Sequence, residues 1–172
     1  MIHRMILHNG RICSATENVL APGQLGLLAG WGVFTTVRVA ENVLFAWERH
    51  WSRMKRDAEL MHVPMPADPA ALQRDLIRLV EANNSPNCTL RLVIIRNGGG
   101  LWQGPPRGSE CDVVAMTADL KDWGDSVRLT VQPYGRYAAN EFAGTKINSW
   151  AINLTWLESA QRKGFDEAIL LN

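Results

Sequence analysis

The chain opens in a strand-like alternation of apolar and polar positions. Met5-Ile6-Leu7 runs into Asn9-Gly10, the strongest short hairpin signal. Ala21-Pro22-Gly23 marks a loop. Leu25 to Gly32 then leads into Val33-Phe34-Thr35-Thr36-Val37-Arg38-Val39, a β-branched run that reads as a central strand. Glu41-Asn42 turns the chain, and Val43-Leu44-Phe45 returns as strand.

From Ala46 the period lengthens to that of a helix. Trp47, Trp51, Met54, Ala58 and Met61 make one apolar stripe, which predicts a helix over 46–61. His50, Arg53 and Asp57 share a different face at three- and four-residue steps. Pro64 and Pro66 end this helix. A second helix is predicted over 69–82, with Leu72, Leu76, Leu79 and Val80 buried, Asp68 as N-cap and Pro69 as first helical residue.

Two further strands are predicted, Cys88 to Ile95 and Cys111 to Met116. The stretch between them, Arg96 to Gly108, is too rich in Gly and Pro to be regular, and loops of that length are often functional. Later come a strand-like run from Val127 to Val131, an amphipathic helix from Ala151 to Lys163 and an apolar run from Glu167 to Leu171. This order predicts an α+β protein. Residues 1–118 form an N-terminal two-layer α/β lobe with an antiparallel sheet. Residues 119–125 connect it to an incomplete C-terminal lobe, 126–172.

Composition narrows the function classes. The chain has 172 residues, 47% hydrophobic and 20% charged, with a net charge of +1. Bulk electrostatics therefore offers nothing to nucleic acid. The longest apolar runs are strand-length, so no membrane span is expected. Met1 to Leu7 lacks the apolar core of a signal peptide, which sets the cytoplasm as the expected location. Cys13, Cys88 and Cys111 are odd in number and scattered, and His3, His8, His50 and His62 have no metal-ligand spacing, so neither disulfides nor a metal is expected.

Three features carry candidate chemistry. Lys146, in Gly144-Thr145-Lys146-Ile147-Asn148-Ser149-Trp150, lies between a strand-like run and a helix. A partly buried amine at such a junction titrates low and becomes nucleophilic, which Schiff-base chemistry requires. Arg53 stands beside His50 on one helix face, and an arginine there grips a phosphate with a fork of donors. Gly30-Trp31-Gly32 permits close backbone approach just before the central strand. Each also has a plain structural explanation: a surface lysine, a solvated helix face, a tight turn around a core tryptophan. Phosphate-loop, dinucleotide-fingerprint and nucleophile-elbow motifs are absent from the sequence.

Taken in order, these features resemble one family. Asn9-Gly10, Gly26-Leu27-Leu28-x-Gly30-x-Gly32-Val33-Phe34-x-Thr36-x-Arg38, Phe45-x-x-x-x-His50-x-x-Arg53-Met54, Thr145-Lys146 and Gly164-x-Asp166-Glu167-Ala168-Ile169-Leu170-Leu171 resemble the class IV, fold-type-IV pyridoxal-phosphate enzymes. That family includes branched-chain and D-amino acid aminotransferases and aminodeoxychorismate lyases. The resemblance implies a second lobe of pseudo-barrel form. It implies pyridoxal 5'-phosphate as cofactor and amino-group transfer between an amino acid and a 2-oxo acid. Lys146 would form the Schiff base and shuttle the proton, and Arg53 would bind the cofactor phosphate. His50 has a supporting place in the same motif. Trp31, Phe34, Trp102 and Trp150 would line the substrate pocket, and a homodimer would be the assembly. Two alternatives stay open: pyruvate elimination by a lyase, and a non-catalytic module that binds or assembles.

The departures carry information too. The family usually has Phe-Glu where this chain has Phe34-Thr35, so an acidic neighbour of the lysine is missing and its amine is expected to titrate lower. An Asn-Tyr pair after the lysine is replaced by Asn148, Ser149 and Trp150. Leu101-Trp102 stands where some relatives carry a second arginine, which points to a different or bulkier apolar substrate. The family pattern continues past a strand like Glu167–Leu171 to a glutamate on the pyridine nitrogen and a phosphate-binding helix. The chain is thus expected to be about the first half of such an enzyme and to bind the cofactor weakly by itself.

Overall fold

The computed structural model describes residues 1–100 and 108–172. They form two compact units. The first holds Met1–Leu120 with Lys146–Asn148, and the second Lys121–Thr145 with Ser149–Asn172.

A six-stranded antiparallel sheet organises the first unit. Its strands are β1 (Ile2–His8), β2 (Arg11–Ser14), β3 (Gly32–Ala40), β4 (Val43–Leu44), β5 (Cys88–Arg96) and β6 (Cys111–Ala118), in the order β2-β1-β6-β5-β3-β4. Asn9 and Gly10 take positive φ angles of 47° and 79° and close the β1–β2 hairpin, as Asn-Gly predicts. β3 and β5 lie inside the sheet, so their residues are covered far more fully than those of an edge strand.

Helices α2 (Trp47–Leu60) and α3 (Pro69–Ala82) cover the sheet, α2 on β3 and α3 on β1 and β6. Trp47, Met54 and Ala58 of α2 meet Leu72, Leu76, Leu79 and Val80 of α3 in one core with Val33, Val37, Leu90 and Leu92. Each Val, Leu and Met of that core contributes about 1.5–3 kcal/mol by leaving water. Asp68 caps α3 by accepting from the N–H groups of Ala70 and Ala71 at 2.9 and 3.0 Å.

A short helix, α1 (Leu25–Ala29), precedes β3 and ends at Gly30 with φ 64°. Five residues are too few to show a helical period, so the apolar pattern reads only as an approach to the strand. Buried Asp112 pins this region: it accepts from Asn9 Nδ2 at 2.6 Å and from Gln24 Nε2 at 2.5 Å. Gln24 Nε2 also donates to Asn97 Oδ1, at the root of the Gly-rich loop.

In the second unit β7 (Leu129–Gln132) pairs in parallel with β8 (Glu167–Leu170), and α4 (Ala151–Arg162) packs on both. β7 begins two positions later than the sequence pattern suggests, where Arg128 N donates to the Asp166 carboxylate at 2.8 Å. Among the described residues no helix is long and apolar enough to cross a membrane.

Candidate active site

The first unit gathers the lysine, the arginine and the strand that sequence reasoning joined. Lys146 does not stand directly between strand and helix. β7 ends at Gln132 and α4 starts at Ala151. The segment Lys146–Asn148 runs alongside β3 instead: Phe34 N donates to Lys146 O at 3.0 Å, Asn148 N donates to Gly32 O at 2.9 Å, and Val33 faces Ile147 in an antiparallel bridge. Turns over 133–144 precede this segment, one of them at Gly144 with φ 83°.

Glycine makes the approach possible. A Cβ on Gly32 would stand 2.4 Å from both Asn148 Nδ2 and Ile94 O. A Cβ on Gly26 would fall 1.9 Å from Ile95 Cγ2 and 2.6 Å from Arg96 O. The spaced glycines are therefore close-contact positions as well as turn residues.

Lys146 is half buried, and its Nζ lies 5.0 Å from the centre of the Phe34 ring. The Arg91 guanidinium stacks on the same ring at 4.0 Å. Burial pulls the Lys146 amine below its ordinary value; the charges of Arg53 and Arg91 add to this, and Asp57 opposes it. Burial likewise lowers the Arg91 guanidinium.

Helix α2 supplies the rest. Arg53 Nη2 donates to Thr35 Oγ1 at 2.5 Å, and Thr35 Oγ1 lies 2.7 Å from His50 Nδ1. The His50 ring titrates below its usual range, through burial first and then the charges of Arg53 and Lys146. Arg53 also borders an open hollow of about 510 Å³ with Glu48, Arg49, Ser52 and Arg56. Asp57, 1% exposed, accepts from Arg56 Nη2 at 2.9 Å and from the Lys146 backbone N–H at 3.2 Å, with Arg53 Nη1 at 3.9 Å.

Arg53 and Arg91 thus place positive charge around the Lys146 amine, and the nearby carboxylate, Asp57, is already engaged by Arg56 and by the Lys146 backbone. Such an arrangement attracts an anion and favours a neutral amine. That is the chemistry of a phosphate-bearing aldehyde, so the residues fit pyridoxal phosphate. Among the described residues no cluster of His, Cys, Asp and Glu could hold a metal.

Sequence reasoning missed Arg91 and Asp57 as members of this site. Arg91 had a signal, a cation inside the otherwise apolar run Leu90 to Ile95. Asp57 had one as well, four residues after Arg53 on the same helix face.

The other candidates fall in different places. Trp31 donates its Nε1–H to Met61 O at 2.8 Å, and Arg96 stacks on its ring at 4.3 Å. Trp150 is half buried in the second unit, 5.9 Å from the Arg136 guanidinium. Trp102 lies outside the described residues.

The pattern of amino-transferase class IV matches residues 32–172. The chain belongs to the class IV aminotransferase family. A D-alanine aminotransferase of Bacillus licheniformis is 26% identical over 136 residues, covering 69% of this chain and 48% of its own length. The branched-chain amino acid aminotransferase of Escherichia coli shares the fold, with a TM-score of 0.84 at 21% identity over 99% of this chain and 60% of its own. So does the T.th. branched-chain amino acid aminotransferase complexed with N-(5'-phosphopyridoxyl)-L-glutamate, with a TM-score of 0.82 at 22% identity over 99% of this chain and 59% of its own. This class IV chain spans 48% and 58% of the lengths of two curated relatives that it matches.

Proposed function

We propose that this chain carries the cofactor-attachment half of a pyridoxal-phosphate-dependent class IV aminotransferase, with Lys146 as the attachment amine and Arg53 as the phosphate anchor. Bound pyridoxal phosphate supplies an aldehyde that captures amines and a ring that draws electron density from the reacting carbon. Lys146 Nζ would carry the proton from that carbon to the cofactor, the net shift that amino transfer requires. Its depressed basicity leaves a larger neutral fraction at physiological pH. Arg53 holds the phosphate with the guanidinium edge that Thr35 and Asp57 leave over, and Arg91 adds positive charge from β5. Phe34 and Trp31, both in the first unit, are the proposed walls of the substrate pocket.

The observation that carries this reading is the placement of Lys146. Its backbone pairs with β3 and with the Asp57 carboxylate, and its amine is partly buried beside Arg53 and Arg91. Substrates would be an amino acid and a 2-oxo acid, the class of reaction the family name describes. A homodimer and a cytoplasmic location belong to the same proposal. The three free cysteines support a reducing compartment.

Titration with pyridoxal phosphate, followed by visible absorbance, tests the reading. Wild type is expected to give a band that Lys146→Ala lacks, and Arg53→Ala to weaken binding roughly tenfold through loss of charge-assisted hydrogen bonds. Absence of any lysine-dependent band even at saturating pyridoxal phosphate would sink the assignment. Amino transfer from a panel of L- and D-amino acids is expected in preference to pyruvate release from aminodeoxychorismate.

A further inference from the structure

Thr35 is fully buried in β3, and its hydroxyl touches two groups of α2. A guanidinium only donates, so Thr35 Oγ1 accepts from Arg53. The Thr35 proton then needs an acceptor. His50 Nδ1, 2.7 Å away, is the acceptor within reach among the described residues. A proton on Nδ1 would make the Thr35 oxygen accept twice and leave its own buried proton without a partner, a costly arrangement. The geometry therefore requires His50 to be neutral, with Nδ1 bare and the proton on Nε2.

We propose that Thr35 is the positioning residue of the anion site: its hydroxyl orients the Arg53 guanidinium and holds His50 as the neutral Nε2–H tautomer. This rests on the reading of Arg53 as the phosphate anchor. The groups around His50 agree with it. Arg53 on the same helix and Lys146 from the segment beside β3 both oppose a positive charge on the ring, and Arg91 of β5 does the same for Lys146. Asp57, the carboxylate of this region, is engaged by Arg56 and the Lys146 N–H. One hydroxyl thus settles two questions at once: which way the arginine fork points, and where the histidine proton sits.

Two readouts on the full 172-residue chain test this. Imidazole nitrogen NMR reports the His50 tautomer without any ligand, and titration with inorganic phosphate reports the anchor. Wild type at neutral pH is expected to show His50 protonated on Nε2 alone. Thr35→Val, of similar shape without the hydroxyl, is expected to mix the tautomers and weaken phosphate roughly tenfold, as loss of a charge-assisted hydrogen bond predicts. Thr35→Ser is expected to restore both. A proton on Nδ1 in wild type, or phosphate affinity unchanged in Thr35→Val, would overturn the proposal. Should Thr35→Val fail to fold, the wild-type tautomer still decides. If both readouts behave as expected but no lysine-dependent cofactor band forms, the positioning role stands and the cofactor reading falls.

Discussion

Asp57 Oδ2 accepts the backbone N–H of Lys146 at 3.2 Å, joining α2 to a segment 89 positions further along the chain. The same carboxylate takes the Arg56 guanidinium on its other oxygen. It fixes the lysine backbone and softens the positive field around the amine.

Removing that carboxylate should therefore loosen the site as well as the fold. Asp57→Ala strips a buried partner from Arg56 and leaves the Lys146 N–H without its acceptor. A loss of about 2–3 kcal/mol is expected, below the usual range for a buried pair because Arg56 is largely exposed. Asp57→Asn keeps an acceptor and should lose about half as much. Urea unfolding of the two variants checks the order.

Lys146 should cost stability at neutral pH. Its amine titrates lower in the folded chain than in the unfolded one. Between the lowered value and the ordinary one the unfolded state binds more protons, so stability rises with pH across that window. Below the window the full cost of the buried charge is felt. Lys146→Met should therefore unfold at higher urea than wild type at pH 7, with the gap closing as pH rises towards the ordinary lysine range. A gap that widens with pH would contradict the burial account.

Gly32 should resist any side chain. Its Cβ would meet Ile94 O and Asn148 Nδ2 at 2.4 Å. The carbonyl belongs to β5 and cannot yield, so residue 32 must shift and the 146–148 segment hydrogen-bonded to this strand must move with it. Gly32→Ala is expected to cost about 1–3 kcal/mol, the usual penalty of overpacking. It should also shift the amide resonances of Lys146 and Asn148. Unchanged resonances there would show that the segment does not depend on the missing Cβ.

Much of this was legible in the sequence, for reasons that differ by element. The stripe Trp47, Met54 and Ala58 and the capped run from Asp68 announce helices because their period and end signals are strong. The five-residue α1 is invisible because it is too short to show a period, and the contacts of Gln24 with Asn97 and Asp112 at its start form only in three dimensions. Lys146 and Arg53 stand out through ordered motifs, and the structure brings them to one region. Arg91 and Asp57 do not stand out, because nothing local ties a cation on one strand and a helix carboxylate to a lysine elsewhere in the chain. The placement of Lys146 differs for a related reason: its segment pairs with β3 across a long sequence separation, which no local pattern encodes.

The central claim is that one amine among Lys55, Lys121, Lys146 and Lys163 is built to hold the cofactor aldehyde. Borohydride reduction of the chain after brief exposure to pyridoxal phosphate, followed by peptide mapping, tests it directly. The account predicts a phosphopyridoxyl group on Lys146 at substoichiometric cofactor, with Lys146→Ala left almost unlabelled. Labelling spread evenly over the other three lysines, or undiminished in Lys146→Ala, would contradict it.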